Sequence, residues 1–240
     1  MSVARLLDGK VAIVTGGTRG IGGAIATTFA EHGATVVALA TSPVRLANVD
    51  TRVCDVSDEA SVMSTFGSAL ADHGRIDVLV NNAGVAIDSV IHRGSLEDFR
   101  RVLDVNLQGT WLCTREALRH MRDREGGGAI VNIASIASKA GNLGQAAYVS
   151  SKAGVEALTR TTAREGARHG IRANAIRPGL IATDMTAGMP QHSWEEKLAS
   201  IPMARPGDPR EVAEVALFLA SDMSSYMTGA VLDVAGGREM

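Results

Sequence analysis

The residues best suited to do chemistry in this sequence are Tyr148 and Lys152, four positions apart, with Ser135 thirteen residues upstream. Side chains four apart on a helix share one face, so the Lys152 charge could act on the Tyr148 phenol. A phenol has a pKa of about 10, and a nearby cation favours the ionised form and lowers that value. We therefore predict that Tyr148 donates or accepts a proton at a substrate carbonyl group near neutral pH.

Lysine and tyrosine are both rare in this chain, which favours a specific role for the pair. Among 24 lysine and arginine residues the only lysines are Lys10, Lys139, Lys152 and Lys197, and Tyr226 is the only other tyrosine. The same spacing also arises by chance on amphipathic helices. The motif therefore needs support from the rest of the chain.

Composition bounds the class of protein. With 240 residues, 45% hydrophobic and 21% charged, we expect one α/β domain spanning residues 1–240. A formal net charge of −2 gives no electrostatic reason to expect a nucleic-acid partner. The six histidines lack metal-ligand spacing, so we predict no metal site.

The expected compartment is cytoplasmic. Cys54 and Cys113 lie apart in apolar segments, which favours a reducing environment over a disulfide framework. Residues 1–7 are too short for the apolar part of a signal peptide, and no apolar run reaches 18 residues. We therefore expect no association with a membrane.

Short β-branched runs alternate with helical patterns along the whole chain. This alternation predicts βαβ units and a parallel sheet, and the continuous apolar character of the first run indicates a strand covered on both faces. The fold class expected is α/β, a doubly wound Rossmann-type domain with helices flanking a seven-stranded parallel sheet. The predicted strands are Val11–Thr15, Thr35–Ala40, 52–54, 76–80, 129–134, 171–176 and 230–234.

The first strand runs into a glycine-rich turn that opens a helical pattern. Glycines at such a turn let the backbone approach a pyrophosphate, and the helix N-terminus supplies free N–H groups. The turn therefore predicts a dinucleotide site. Its residues are Thr15, Gly16, Gly17, Thr18, Arg19, Gly20, Ile21 and Gly22.

Six motifs together resemble those of the short-chain dehydrogenase/reductases, in the same order and at the same spacing. The resemblance covers essentially the whole chain, and six motifs in register are far more specific than any one of them. They are Thr15-Gly-x-x-x-Gly-x-Gly22, Asn81-Asn82-Ala83-Gly84, Asn106, Ser135, Tyr148-x-x-x-Lys152 and Pro178-Gly179.

The resemblance implies a role for each member of a catalytic set. Tyr148 would be the general acid/base, and Ser135 would hydrogen-bond the substrate oxygen. Lys152 would bind the nicotinamide ribose and lower the Tyr148 pKa. Asn106 would lie in an irregular helix that holds a water molecule linking Lys152 to a proton relay.

The same resemblance implies a set of cofactor contacts. Asp55 and Val56 would bind the adenine, Asn82, Ala83 and Gly84 would line the adenosine, and Pro178, Gly179, Ile181 and Thr183 would reach the carboxamide. The remaining cofactor residues would be Gly16, Thr18, Arg19, Gly20, Ile21, Gly22, Thr41, Tyr148 and Lys152.

The second strand ends at Thr41 without the carboxylate that selects NAD(H). Arg19 and Thr41 could bind a 2′-phosphate, with Arg45 as a further candidate. We therefore predict that NADP(H) is favoured and that NAD(H) is possible.

Within the family the closest resemblance is to 3-oxoacyl-[acyl-carrier-protein] reductases, which implies a 3-oxoacyl thioester substrate and a homotetramer. Two features depart from that group. The basic residues that bind the carrier protein align with Ala129 and His169, and the connection after the second strand is short. A replacement patch could come from Arg119, Arg122, Arg124, Arg164 and Arg168.

The proline-rich segment at about residues 182–207 predicts an excursion from the sheet that covers the substrate. Substrate contacts are expected from Ser135, Gln145, Tyr148, Met185 and Met189. The apolar residues here could instead pack onto the sheet or a neighbouring subunit. They are Met185, Met189, Trp194, Leu198, Ile201 and Met203.

We predict an NADP(H)-dependent reduction of a ketone to a secondary alcohol. The alternative is an NAD(P)-dependent dehydrogenase of cyclic alcohols, polyols or other small secondary alcohols. A non-catalytic dinucleotide-binding regulator and a sugar-nucleotide epimerase are disfavoured, the first by the complete catalytic set and the second by the spacing of the glycine turn.

Overall fold

The structure is a computed structural model that describes residues 5–239. Within that range seven strands form one parallel sheet, in the order β3-β2-β1-β4-β5-β6-β7. The predicted Rossmann-type fold is therefore confirmed, with strand ends that differ by one or two residues. The strands are β1 Val11–Thr15, β2 Thr35–Ala40, β3 Asp50–Val53, β4 Val78–Asn81, β5 Gly128–Ile133, β6 Ile171–Pro178 and β7 Val231–Val234.

Helices cover both faces of the sheet. A π-helical turn, Asp104–Gln108, joins the third and fourth of them, and a 3₁₀ turn, Ala167–His169, follows the sixth. The α-helices are α1 Gly20–Glu31, α2 Glu59–His73, α3 Leu96–Leu103, α4 Gly109–Met121, α5 Ala137–Ala140, α6 Ala146–Gly166, α7 Asp184–Ala187, α8 Gln191–Ala199 and α9 Pro209–Ala220.

The core consists of two apolar layers, one on each side of the sheet. α1 and α9 pack on one face, where Phe29 and Leu217 lie in the same buried cluster as Val14. α2 and α4 pack on the other face, where Phe66 and Leu112 are buried. Because both faces of β1 are covered, every residue of that strand is buried, as its unbroken apolar run predicts.

Histidine-glycine pairs end three helical segments immediately before a strand, at Gly33, Gly74 and Gly170. All three glycines have positive φ angles, of 91°, 74° and 68°. A side chain would strain this left-handed conformation, so glycine suits the end of a helix that turns sharply into a strand.

Strand order reverses between β1 and β4, and this reversal positions the site. In an open α/β sheet the loops at the carboxyl ends of the strands diverge at such a point and leave a crevice for a ligand. The loops after β1, β4, β5 and β6 all leave the sheet at this edge. They contain most of the predicted site residues.

A long connection between β6 and α9 leaves this edge and contains α7 and α8. Two backbone hydrogen bonds close its base, from Ala182 N–H to the Gly207 carbonyl and from Gly207 N–H to the Leu180 carbonyl, both 2.9 Å. None of the helices described between residues 5 and 239 has the length and apolar character required to cross a bilayer.

The glycine turn is so tightly packed that position 22 cannot accept a side chain. A Cβ there would lie 2.2 Å from the Gly16 carbonyl oxygen and 2.4 Å from Asn82 Nδ2. Gly16 itself has a φ of 60°, and its own Cβ would approach Ala83. Helix α1 therefore begins in contact with the loop after β4.

Gly22→Ala should destabilise the protein by about 3 kcal/mol, because relief of the overlap requires a backbone shift. Gly67→Ala is a matched control. Gly67 lies within α2, and a Cβ at this position would meet no atom within 4 Å. That control should stabilise the protein by about 0.5–1 kcal/mol. Urea denaturation measures both changes, and equal stability of the two variants would contradict the packing described.

Candidate active site

The glycine turn is held against the loop after β4 by four hydrogen bonds. Asn82 Nδ2 donates to the carbonyl oxygens of Thr15 and Gly16, at 3.0 and 3.1 Å. Thr15 Oγ1 accepts from the backbone N–H groups of Asn82 and Ala83, at 2.9 and 3.0 Å. These bonds therefore fix the loop after β1 against the loop after β4. Thr15 starts the glycine motif, but its hydrogen bonds to this loop were missed from sequence.

Helix α1 offers uncapped N–H groups at its N-terminus. Arg19 precedes the helix in an extended conformation and its side chain makes no capping hydrogen bond. The first intrahelical bond runs from Gly23 N–H to the Arg19 carbonyl, so the amides of Gly20, Ile21 and Gly22 lack an intrahelical partner. This donor set suits the pyrophosphate of a dinucleotide.

The loop after β6 approaches the same turn. A Cβ on Gly20 would lie 3.6 Å from the Thr183 side chain. Thr183 immediately precedes α7 and forms a capping box with Thr186. Gly179 passes so close to Ala235 that a Cβ would come within 2.8 Å of its Cα. Pro178 and Ile181 are buried beside it. The residues predicted to contact the pyrophosphate and those predicted to contact the carboxamide thus lie on facing loops.

Asp55 and Val56 follow β3 at the same edge. Asp55 Oδ1 accepts hydrogen bonds from the Ser57 hydroxyl and backbone N–H, at 2.6 and 2.9 Å. The hydroxyl bond is the main reason that the pKa of Asp55 lies below its usual value. Val56 is buried against Gly109, where a Cβ would come within 2.8 Å of its side chain.

The residues predicted to bind a 2′-phosphate are all exposed. Arg19, Thr41 and Arg45 reach solvent, and the loop 41–49 contains no helix, as the short connection after β2 predicts. Thr18 is half-buried next to Arg19 in the glycine turn.

Asn106 is fully buried in the π-helical turn, the helix irregularity that the resemblance implies. Its side chain accepts from Val85 N–H at 2.8 Å and donates to the Val85 carbonyl at 2.9 Å and to Ser151 Oγ at 3.0 Å. Asn106 therefore joins the segment after β4 to the catalytic helix α6. A Cβ on Gly84 would lie 3.2 Å from Asn106 Oδ1 and 3.5 Å from Lys152 Nζ.

Lys152 is buried on α6, and its ammonium donates to the Ile133 carbonyl at the end of β5, at 2.7 Å. Its Nζ lies 5.8 Å from the centroid of the Tyr148 ring. Burial disfavours the charged ammonium and lowers the pKa of Lys152 to about 8.

The expectation that Lys152 lowers the Tyr148 pKa is not borne out within this protein. Burial of the hydroxyl raises the Tyr148 pKa, a hydrogen bond with Ser135 opposes the rise, and the negative charge of Asp88 adds to it. Tyr148 consequently keeps its proton at neutral pH.

Ser135 follows β5 and is half-buried. Its Oγ accepts from Ala137 N–H at 3.3 Å, and its side chain interacts with the Tyr148 hydroxyl. Tyr148 lies in the first turn of α6, with part of its side chain exposed. The two hydroxyls thus meet at the open edge of the sheet, where a carbonyl oxygen could contact both.

The side chain of Gln145 is occupied by protein partners. Its Nε2 donates to the Asp88 carboxylate oxygens at 3.1 and 3.2 Å, and its Oε1 accepts from Asn142 Nδ2 at 2.8 Å. Ser89 N–H also donates to the Gly144 carbonyl at 2.7 Å. Gln145 therefore joins two loops beside Tyr148, and its predicted substrate contact stays a prediction. The sequence did not reveal Asp88 as its partner.

The apolar residues of the connection between β6 and α9 differ in burial. Ile201 is buried and packs with Met203 against the turn at Gly236, as the packing alternative predicts. Met185 is 63% exposed and Met189 is half-buried. Met203 is 61% exposed despite its contact, and Trp194 and Leu198 are half-buried, so of this set only Ile201 is withdrawn from a substrate by burial.

Lys152→Met should change the pH dependence of stability. In the unfolded chain a lysine has a pKa of about 10.4, whereas burial lowers that of Lys152 to about 8. Between these values the unfolded state binds more protons, so the stability of the wild type rises with pH by on the order of 3 kcal/mol. The methionine variant lacks this rise. Urea denaturation from about pH 7 to 10.5 checks it, and a constant difference between the two proteins would contradict it.

Comparisons with known proteins agree with this geometry. A family model described as enoyl-(acyl carrier protein) reductase matches residues 16–239. An uncharacterized oxidoreductase of Mycobacterium bovis is 46% identical, over 98% of this chain and 99% of its own length. A 3-oxoacyl-[acyl-carrier-protein] reductase of Thermotoga maritima is 42% identical, over 96% of this chain and 98% of its own length.

Among solved structures, the aldohexose dehydrogenase of Thermoplasma acidophilum in its ligand-free form superimposes with a TM-score of 0.90. The two chains are 36% identical, and the match covers 96% of this chain and 94% of that one. The family model and these relatives cover nearly the whole chain. The chain therefore belongs to the short-chain dehydrogenase/reductase family of NAD(P)-dependent oxidoreductases.

Proposed function

We propose that this protein reduces a ketone to a secondary alcohol with NADP(H), and that the ketone is a 3-oxoacyl thioester. The observation that carries the proposal is the meeting of the Ser135 and Tyr148 hydroxyls beside buried Lys152, at the sheet edge that also carries the glycine turn. These residues can bind and protonate a carbonyl oxygen next to a dinucleotide.

The nicotinamide cofactor, when bound, supplies hydride to the carbonyl carbon. Tyr148 donates its proton to the oxygen, which becomes the alcohol hydroxyl, and Ser135 hydrogen-bonds that oxygen. Lys152 binds the ribose, and Asn106 keeps α6 in register with the segment after β4. Burial raises the pKa of Tyr148, so its phenol carries the proton that a reduction requires.

The relatives and the surface at the site support the thioester. Several relatives are 3-oxoacyl-[acyl-carrier-protein] reductases that align over nearly their whole length. Leu143, which is 92% exposed, lies beside Gln145, and Met185 extends from α7 next to the cofactor loop. Such apolar side chains suit an acyl chain, with the excursion at about residues 182–207 as a lid.

A second candidate is an NAD(P)-dependent dehydrogenase of polyols, cyclic alcohols or other small secondary alcohols. The close superposition on an aldohexose dehydrogenase favours it. The polar side chains of Asp88, Asn142 and Gln145 beside Tyr148 also suit a hydroxylated substrate.

An acyl carrier protein could bind a smaller arginine patch than the sequence suggests. Arg124 is held by Asp77 at 2.7 Å and by the Gly127 carbonyl at 2.6 Å, and Arg119 pairs with Glu116 at 2.9 Å. Arg119 is exposed despite this pair, as are Arg122, Arg164 and Arg168.

The proposal includes one catalytic domain, a homotetramer and a cytoplasmic location. Edge strand β7 has three half-exposed apolar residues, Val231, Leu232 and Val234, and Trp111 is 47% exposed on α4. These surfaces favour assembly with further copies. The unpaired, buried Cys54 and Cys113 suit a reducing compartment.

Tyr148→Phe should lower turnover by about a thousandfold, because the proton donor is lost, and leave the cofactor dissociation constant nearly unchanged. Tyr226→Phe is the matched control, since Tyr226 is fully exposed. Acetoacetyl thioesters, cyclic ketones and polyols would be assayed with each variant and both cofactors. Preferred turnover of polyols would favour the second candidate, and retained activity in Tyr148→Phe would overturn the mechanism.

Arg19→Ala should lower kcat/KM with NADPH by about tenfold, through loss of a charge-assisted hydrogen bond, and leave kcat/KM with NADH unchanged. Arg122→Ala is the control, because Arg122 is equally exposed but lies at the end of α4. Steady-state kinetics with both cofactors provides the test. A wild-type preference for NADH would refute the NADP(H) assignment.

A further inference from the structure

A buried carboxylate continues the catalytic face of α6. Glu156 lies one turn beyond Lys152 and two turns beyond Tyr148, so the three side chains share one side of the helix. Glu156 is 7% exposed.

Arg177 on β6 neutralises this carboxylate with paired hydrogen bonds. Arg177 Nε donates to Glu156 Oε1 at 2.8 Å and a terminal guanidinium nitrogen donates to Oε2 at 2.9 Å. Burial raises the pKa of Glu156, but the bonds from Arg177 and Ser138 outweigh it, so the pKa lies below its usual value. The carboxylate is therefore ionised at neutral pH.

The same carboxylate contacts the segment that carries Ser135. The Ser138 hydroxyl hydrogen-bonds Glu156 and also lies 2.5 Å from the Ser135 carbonyl oxygen. Ser138 N–H donates to that carbonyl at 3.0 Å. Glu156 is thus joined to the backbone of Ser135 through Ser138, whose hydroxyl donates to the carboxylate while its N–H donates to the Ser135 carbonyl. Tyr148 lies on the same helix as Glu156.

Outer charges support this arrangement from the C-terminal part of the chain. Asp233 on β7 accepts from Arg177 at 3.0 Å and pairs with Lys139 on α5 at 3.1 Å. Arg160 approaches Glu156 from the exposed side of α6, at 3.6 Å. The group therefore connects α5, α6, β6 and β7.

We propose that Glu156 is a positioning residue, which sets the separation of the Ser135 and Tyr148 hydroxyls by holding Ser138 and the Ser135 backbone against helix α6. This inference rests on the proposed function, because it requires that Ser135 hydrogen-bonds the substrate oxygen. A buried ion pair is often no more stabilising than apolar side chains of the same volume. The contact of Glu156 with Ser138, which hydrogen-bonds the Ser135 backbone, indicates instead that Glu156 positions Ser135.

Glu156→Gln keeps the shape of the side chain and removes its charge. We expect kcat to fall about tenfold, because a small displacement of a catalytic group is costly, with the cofactor dissociation constant unchanged. In a Ser135→Ala background the same substitution should change kcat by less than about twofold, because Ser135 no longer has a hydroxyl to position. Glu165→Gln is the control, because Glu165 is exposed on the same helix and lies outside this group, and kcat should keep its wild-type value.

Equal effects of Glu156→Gln on kcat in the two backgrounds would show a merely structural role and overturn the inference. An unchanged kcat in Ser135→Ala alone would instead refute the proposed role of Ser135. If Glu156→Gln does not fold, Ser138→Ala replaces it in the same cycle. That variant removes only the connecting hydroxyl, and the same loss of effect in the Ser135→Ala background is expected.

Discussion

The buried ammonium of Lys152 joins helix α6 to the sheet. Burial of a charge is costly, and its hydrogen bond to the Ile133 carbonyl offsets only part of that cost. The bond fixes α6 at the carboxyl end of β5, where Ser135 follows. Asn106 then joins α6 to the segment after β4. This placement also positions Tyr148, which lies in the first turn of the same helix.

A second constraint is the reversal of strand order between β1 and β4. It brings the glycine turn beside the loop after β4, and the Asn82 and Thr15 hydrogen bonds join the two. The glycine turn and the Ser135–Tyr148 pair therefore lie on neighbouring loops at one edge of the sheet. Arg177 pairs with Glu156 on α6 and with Asp233 on β7, so these contacts connect α6 to the last strand of the sheet.

Patterns with a local physical cause were predictable. Short β-branched runs between helical patterns located all seven strands, and the continuous apolar run of β1 indicated its burial on both faces. Features that depend on neighbours distant in sequence were not. Gln145 donates a hydrogen bond to Asp88, which is 57 positions away, and Arg124 donates one to Asp77, which is 47 positions away. No periodicity or motif within one segment indicates either partnership.

The sequence by itself determined the fold class and the family, because strand periodicity and the spacing of the motifs are properties of the chain alone. The tertiary structure decided the protonation of the site. A pKa depends on burial and on every nearby charge, so Lys152 loses affinity for its proton and Tyr148 gains it. Spacing along one helix could place the two side chains together, but it could not supply the surroundings that determine when each ionises.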